Sequence, residues 1–253
     1  MKQLFLIFTL SFAFFNLFAQ DEKNAPNVDD ILASYFENTG GIENWKALNT
    51  SRTEGKMMQG GMEFPGVIYG KRPNQQRMEI DIQGQQMIQA YDGETAWWIN
   101  PFMGASEAQP MPTEMAEEVT SQTFEDEFID YKEKGHTVEY LGEKEIDGAP
   151  CYELKLTKKS GEEEFFYFDT EYMIPIMQKT IAKAGPMKGQ AVETYLSNYE
   201  ETDGFMIPMY IETRVNGAAQ FSITVTKVEF GIEADDSMFA YPKADVMDEE
   251  DKN

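Results

Sequence analysis

The sequence predicts a mainly β protein, a long antiparallel meander preceded by an N-terminal helix and interrupted once by a helical insertion. Three observations carry this prediction. Turn-forming pairs punctuate the chain beyond residue 50: Gly60-Gly61, Asp92-Gly93, Asp147-Gly148, Ser160-Gly161, Asp203-Gly204 and Asn216-Gly217. Such pairs supply the positive φ angles that two-residue hairpins need. The stretches between them alternate in polarity, as in Met78, Ile80 and Ile82 against Glu79, Asp81 and Gln83, or Phe221, Ile223 and Val225 against Ser222 and Thr224. Consecutive hairpins without intervening helices pair antiparallel.

The elements follow in order. Met1-Lys2 precedes an almost unbroken apolar run from Leu4 to Phe18, and polar Gln20-Asp21-Glu22 follows Ala19 at once. This reads as a signal peptide over residues 1–19, too short to span a membrane comfortably, with an uncleaved anchor as the alternative. No Cys lies near the cleavage point, so a lipid-modified N-terminus is not expected. Asn27 suits a helix N-cap, Asp29 and Asp30 suit the first turn, and Ile31, Leu32, Tyr35 and Phe36 form one apolar stripe. Gly40-Gly41 ends that helix, and Ile42, Trp45 and Leu48 suggest one further short turn. In the last strand the apolar parity shifts at Thr226-Lys227, with Val228 and Phe230 taking over, which predicts a β-bulge.

The insertion begins after a segment rich in Pro and Gly (Pro101, Gly104, Pro110, Pro112), and residues 113–134 read as helix. Met115 and Val119 lie one turn apart, as do Phe124 and Phe128, with Tyr131 following. Thr123, three residues before Asp126, is placed to cap a second piece. Residues 107–135 hold nine acids against two bases. Such an amphipathic segment either covers one face of the sheet or plugs a closed core, and both readings stand. Residues 20–243 are expected to form a single domain. Residues 244–253, with Asp245, Asp248, Glu249, Glu250 and Asp251, read as a solvated acidic tail.

Composition narrows the chemistry. The 253 residues carry 45 acids against 21 bases, a net charge of −24, which argues against nucleic acid as a partner. One His and one Cys leave no Cys/His zinc site and no intramolecular disulfide. No nucleophile elbow, zinc-protease motif, phosphate loop or dinucleotide fingerprint is present. No catalytic residue, metal or cofactor is therefore expected, although a carboxylate pair of the glycosidase kind stays open because acids are everywhere. His136 reads as a satisfied residue at the end of the insertion, and Cys151 as a buried free thiol. Sixteen Met and eighteen Phe are the more informative residues, suited either to core filling or to a surface that adapts to acyl chains. Trp97 and Trp98 are adjacent on one strand, so they point to opposite faces. The apolar candidates for a lined hollow are Met78, Ile80, Ile82, Trp97, Trp98, Phe102, Met115, Val119, Phe124 and Phe128.

Two motifs then stand in order. Lys71-Arg72-Pro73-Asn74 follows a strand, and Asp92-Gly93-Glu94-Thr95-Ala96-Trp97-Trp98-Ile99-Asn100-Pro101-Phe102 comes about twenty residues later. Together they resemble the periplasmic lipoprotein carrier family LolA, with its K-R-P-N and D-G-x-T-x-W-x-x-N-P-F pattern. The closing Met238-Phe239-Ala240-Tyr241-Pro242 is similar to the family's F-x-F-x-P ending. The resemblance implies an unclosed antiparallel β-barrel of LolA/LolB type with a helical lid. It implies a cofactor-free carrier that holds lipoprotein acyl chains, takes them from an inner-membrane transporter and hands them to an outer-membrane acceptor. It also implies that Arg72 latches the lid. The family's aromatic position four residues after that Arg is Gln76 here, a departure that bears on cargo handling. A lipid- or lipoprotein-sensing module of the cell envelope is the alternative use of the same fold, and a secreted hydrolase is the third class. A pull-down from envelopes separates carrier from sensor.

Overall fold

The computed structural model describes residues 26–183 and 187–242. The signal peptide and the acidic tail read from the sequence lie outside the described residues.

Helix α1 (Val28–Asn38) is opened by Asn27, whose Oδ1 accepts the Asp29 N–H at 3.0 Å. Its buried residues are the predicted stripe, Ile31, Leu32, Tyr35 and Phe36. At Gly40, φ is +121° and a Cβ would lie 2.5 Å from the Gly204 carbonyl, so only glycine lets the chain pass that close. The short helix α2 (Ile42–Ala47) follows and packs the Trp45 ring on Phe205, with centroids 4.7 Å apart.

Thirteen strands form one antiparallel sheet. The first six are β1 (Thr50–Gln59), β2 (Met62–Lys71), β3 (Gln75–Ile82), β4 (Gln85–Tyr91), β5 (Ala96–Asn100) and β6 (Ala105–Pro110). After α3 (Thr113–Thr120) come β7 (Thr137–Ile146), β8 (Ala149–Thr157), β9 (Glu163–Asp169), β10 (Pro175–Ile181), β11 (Ala191–Thr202), β12 (Phe205–Val215) and β13 (Ala218–Phe230). Every sequential strand pair is hydrogen-bonded except β6 and β7, and the long-range pairing of β1 with β13 joins the two halves. Strands β6 and β7 are therefore the two free edges, and the barrel stays unclosed. The chain between them has to cross the sheet from one edge to the other, which lays α3 and residues 121–136 over one face.

Each predicted turn pair lies between strands. The predicted bulge is also present: Glu54 faces Lys227 and Gly55 faces Val225, leaving Thr226 as the extra residue. Further register shifts at Tyr140/Gly142 and Thr213/Arg214 add to the curl of the sheet. Under α1, Leu154, Leu156, Phe166 and Phe168 join its stripe in one core together with Phe128 and Ile129. At the other edge Trp98, Tyr91 and Met111 pack under Val119 and Met115 of α3.

The insertion departs from the expectation of helix over residues 113–134. Only Thr113–Thr120 is helical, and residues 124–135 run through bends and turns. Asp126 gives the reason. One of its oxygens accepts the Phe128 N–H at 2.8 Å, and the other accepts the Tyr35 hydroxyl at 2.6 Å. A local side-chain bond of that kind competes with helical pairing. Nor does Thr123 cap a helix, because its hydroxyl donates to the Glu125 carbonyl at 2.9 Å.

Candidate functional site: a pocket under the crossing segment

The strand register decides what faces the crossing segment. Gln76, Met78 and Ile80 of β3 stand opposite Gly70, Ile68 and Gly66 of β2. These in turn stand opposite Ser51, Thr53 and Gly55 of β1. Ser51 and Thr53 face Phe230 and Val228 of β13, while Ile223 faces Ile211 of β12. The helices lie on this face, since Phe230 packs against Phe205 under Trp45. Its two flanks are sealed by α1 and α3, but its centre is not. Ile68 is 38% exposed, and Met78, Ile82, Ile211 and Ile223 are only half-buried.

Between this centre and residues 121–129 lies a cavity of about 620 Å³. That volume is within the range of small-molecule sites, about 300–1,000 Å³. Ile68, Phe124, Phe128, Phe166 and Phe230 supply its apolar wall. Gly70 admits the Phe124 ring: a Cβ at Gly70 would come within 2.9 Å of it. Arg72, Gln76, Glu125, Glu127, Lys158, Glu164 and Gln178 supply the polar parts.

Arg72 is the junction of three segments. Its Nε donates to the Leu48 carbonyl at 2.9 Å and its Nη2 to the Trp45 carbonyl at 3.3 Å, both at the end of α2. Its Nη1 bonds the Glu125 carboxylate, and its guanidinium stands 5.5 Å from the Phe124 ring centroid. The crossing segment is thus held through a carboxylate and a ring, whereas the carbonyls Arg72 satisfies belong to α2. Glu125 also binds Lys134 at 2.6 Å. Burial raises the Glu125 pKa, but its bonds to Lys134 and Arg72 outweigh that and hold it below the usual carboxylate value. Gln76 ties down the other piece of the insertion, its Nε2 donating to the Val119 carbonyl of α3 at 2.7 Å.

On the far wall Lys158 sits between Glu127 and Glu164, at 2.8 Å from each, and Gln178 donates to Glu164 at 3.0 Å. Burial opposes the Lys158 charge, but the two carboxylates win and its pKa stands above the ordinary lysine value. Asp126 differs. Its burial prevails over the bonds from Tyr35 and Phe128, and its pKa is raised.

The sequence-derived candidates are divided by the fold. Phe124 and Phe128 line the cavity, and Met78, Ile80 and Ile82 lie on the same face of β3. Trp98, Met115 and Val119 are packed together beneath α3. Trp97 belongs to the opposite face, where it packs with Ile88 and Tyr241 and its Nε1 donates to the Phe239 carbonyl at 2.7 Å. Phe102 is 54% exposed in a 3₁₀ turn, away from the cavity. Sequence reasoning passed over Lys158 and Gln178, which meet Glu164 here but lie on or beside other strands and share no motif with it. His136 accepts the Lys159 N–H through Nδ1 at 3.0 Å. Cys151 is fully buried, and burial pushes its thiol pKa up to about 11.

No model of a known protein family matches the chain, and no curated protein matches it in sequence. Solved structures do match. A LolA superfamily protein from Nitrosomonas europaea is 12% identical with a TM-score of 0.54, covering 85% of this chain and 98% of that one. A putative outer membrane lipoprotein-sorting protein domain from Vibrio parahaemolyticus is 10% identical with a TM-score of 0.53, covering 83% and 94%. A DUF1329 family protein from Desulfovibrio piger is 14% identical with a TM-score of 0.56, covering 83% and 97%. The class is therefore set by shape: the chain has the LolA-like fold, an unclosed antiparallel barrel crossed by helices. These identities establish the fold alone.

Proposed function

We propose that this protein is an exported carrier that holds the acyl chains of a lipoprotein against the concave face of the sheet and delivers them to the outer membrane. The observation that carries the reading is the 620 Å³ cavity under the crossing segment, next to a half-exposed apolar strip along the centre of the sheet. An acyl chain is the ligand whose shape and chemistry suit such a strip. Each buried methylene contributes about 0.8 kcal/mol, so about ten of them supply roughly 8 kcal/mol before the costs of association.

The cavity's polar groups support binding over catalysis. Glu125 is paired with Arg72 and Lys134, Glu127 and Glu164 with Lys158, and Asp126 with Tyr35. A glycosidase pair needs one carboxyl to give a proton and another free to attack; ion pairing occupies the three glutamates, so Asp126, bonded to a neutral hydroxyl, is left without a free carboxylate among them. An inner-membrane transporter and an outer-membrane acceptor are the partners that this function requires.

The test is a titration of the chain from Gln20 onward with a fluorescent fatty acid, together with mass spectrometry of the protein purified from its own envelope. Saturable binding and co-eluting acylated polypeptide are expected. Absence of saturable binding would refute the acyl-chain reading.

A further inference from the structure

The crossing segment brings three consecutive carboxyl groups, Glu125, Asp126 and Glu127, to the wall of the cavity. Two of them are held by cations, Glu125 by Arg72 and Lys134, and Glu127 by Lys158 at 2.8 Å. The middle one is not. Asp126 accepts the Tyr35 hydroxyl at 2.6 Å and the Phe128 N–H at 2.8 Å, both uncharged donors, and among the described residues no cation pairs with it.

The groups that face Asp126 do little to support its charge. From α1 comes Tyr35, and from β11 comes Tyr199, whose hydroxyl donates to the Pro175 carbonyl at 2.5 Å. Burial, with Asp126 beside them, raises the pKa of both phenols, so neither ionises near neutral pH. On its own segment, Glu127 opposes the Asp126 charge, and Lys134 favours it from a distance while bonded to Glu125. Lys158, on the far wall, is shared by Glu127 and Glu164. A carboxylate without a cation loses hydration on burial and gains too little in return. The neutral acid suits the same two partners: Oδ1 keeps the Phe128 N–H, and the protonated Oδ2 donates to the Tyr35 oxygen.

We propose that loading of the cavity with an acyl chain is linked to the uptake of a proton by Asp126. The inference rests on the acyl-chain reading above and adds the regulation of that site. A chain entering the cavity displaces solvent from the wall on which Asp126 stands, which disfavours the ionised carboxyl further. Asp126 then holds its proton more tightly in the loaded protein than in the empty one. Affinity is therefore highest below the pKa of the empty state and falls as pH rises through that of the loaded state. By reciprocity, a rise in pH favours release. One linked proton changes Kd by at most about tenfold per pH unit.

The test is a fluorescence titration of the chain from Gln20 onward with a pyrene-labelled fatty alcohol, between about pH 4.5 and about pH 8.5. The probe has no titrating group, so any pH dependence belongs to the protein. Kd should rise by about fivefold or more across that range. Calorimetry in two buffers of different ionisation enthalpy, at a pH within the rise, should show a fraction of a proton taken up per probe bound. Asp126→Asn should flatten the pH profile and abolish the proton uptake. Tyr35→Phe removes a donor that favours the charged carboxyl, so it should move the rise to higher pH. Circular dichroism at each pH checks that the chains are folded. A parent chain that binds with one Kd at every pH and takes up no proton would overturn the linkage. So would a pH dependence that persists in Asp126→Asn, which would assign it to another group such as His136. Absence of saturable binding at every pH is a different result, because it refutes the acyl-chain reading itself and the linkage with it.

Discussion

Arg72→Leu removes the side chain that ties the crossing segment to the sheet. Two contacts span that junction, the bond to Glu125 and the ring contact with Phe124. A hydrogen bond between charged partners contributes about 1.5–3 kcal/mol. A cation–π contact of this exposure adds about 0.5–1 kcal/mol. Glu125 keeps Lys134 as a partner, so the loss does not include a stranded buried charge. The segment should therefore open more easily by about 2–4 kcal/mol, roughly 30- to 700-fold in the opening equilibrium. Hydrogen exchange at the Ile129 and His136 amides, which donate to the Asp126 and Tyr131 carbonyls within the segment, reads that opening directly. Amides of β8 and β9 serve as the control, because they report global unfolding. Lid amides that exchange less than about threefold faster would refute the latch, as would an equal acceleration in β8 and β9.

Three further outcomes follow from the same geometry. Gln76→Leu removes the donor to the Val119 carbonyl. It should loosen α3 by about 1 kcal/mol while leaving fatty-acid binding at least as tight, and exchange plus titration checks both. Gly70→Ala would push a methyl group to within 2.9 Å of the Phe124 ring. The overpacking should cost about 1–3 kcal/mol in denaturant unfolding, and unchanged stability would show that the ring moves freely. Asp126, buried with a raised pKa, is harder to ionise folded than unfolded. Its contribution is thus present below the ordinary carboxylate pKa and is lost as pH rises through its own raised value. Asp126→Asn, whose Oδ1 can keep the Phe128 N–H while its Nδ2 donates to the Tyr35 hydroxyl oxygen, should gain stability at pH 7 relative to the parent chain. The gain should shrink as pH falls toward about 4, and a pH series of melting curves would show it.

What the sequence determined by itself is the local geometry. Pairs such as Asp147-Gly148 and Asn216-Gly217 demand positive φ whatever surrounds them, so the hairpins were legible. The parity change at Thr226 is equally local, since one extra residue flips every later side chain to the other face. The stripe of α1 was readable because helical spacing gathers Ile31, Leu32, Tyr35 and Phe36 without help from other segments. Arg72 could be singled out by its motif, but its partners could not, because Glu125 lies 53 residues away. The tertiary structure alone decided that residues 121–136 give up helical pairing. The Tyr35 hydroxyl meets Asp126 across 91 residues of chain, and no window of sequence contains both. It also decided which Trp faces α3 and which packs under Phe239, since alternation separates the two rings without saying which face is covered. The Lys158 cluster and the Gln76 bond arise only when segments far apart in the chain meet, Glu127 with Lys158 across 31 residues and Gln76 with Val119 across 43. Local requirements act within a few residues and can be read directly, whereas burial and charge pairing depend on which distant segments meet.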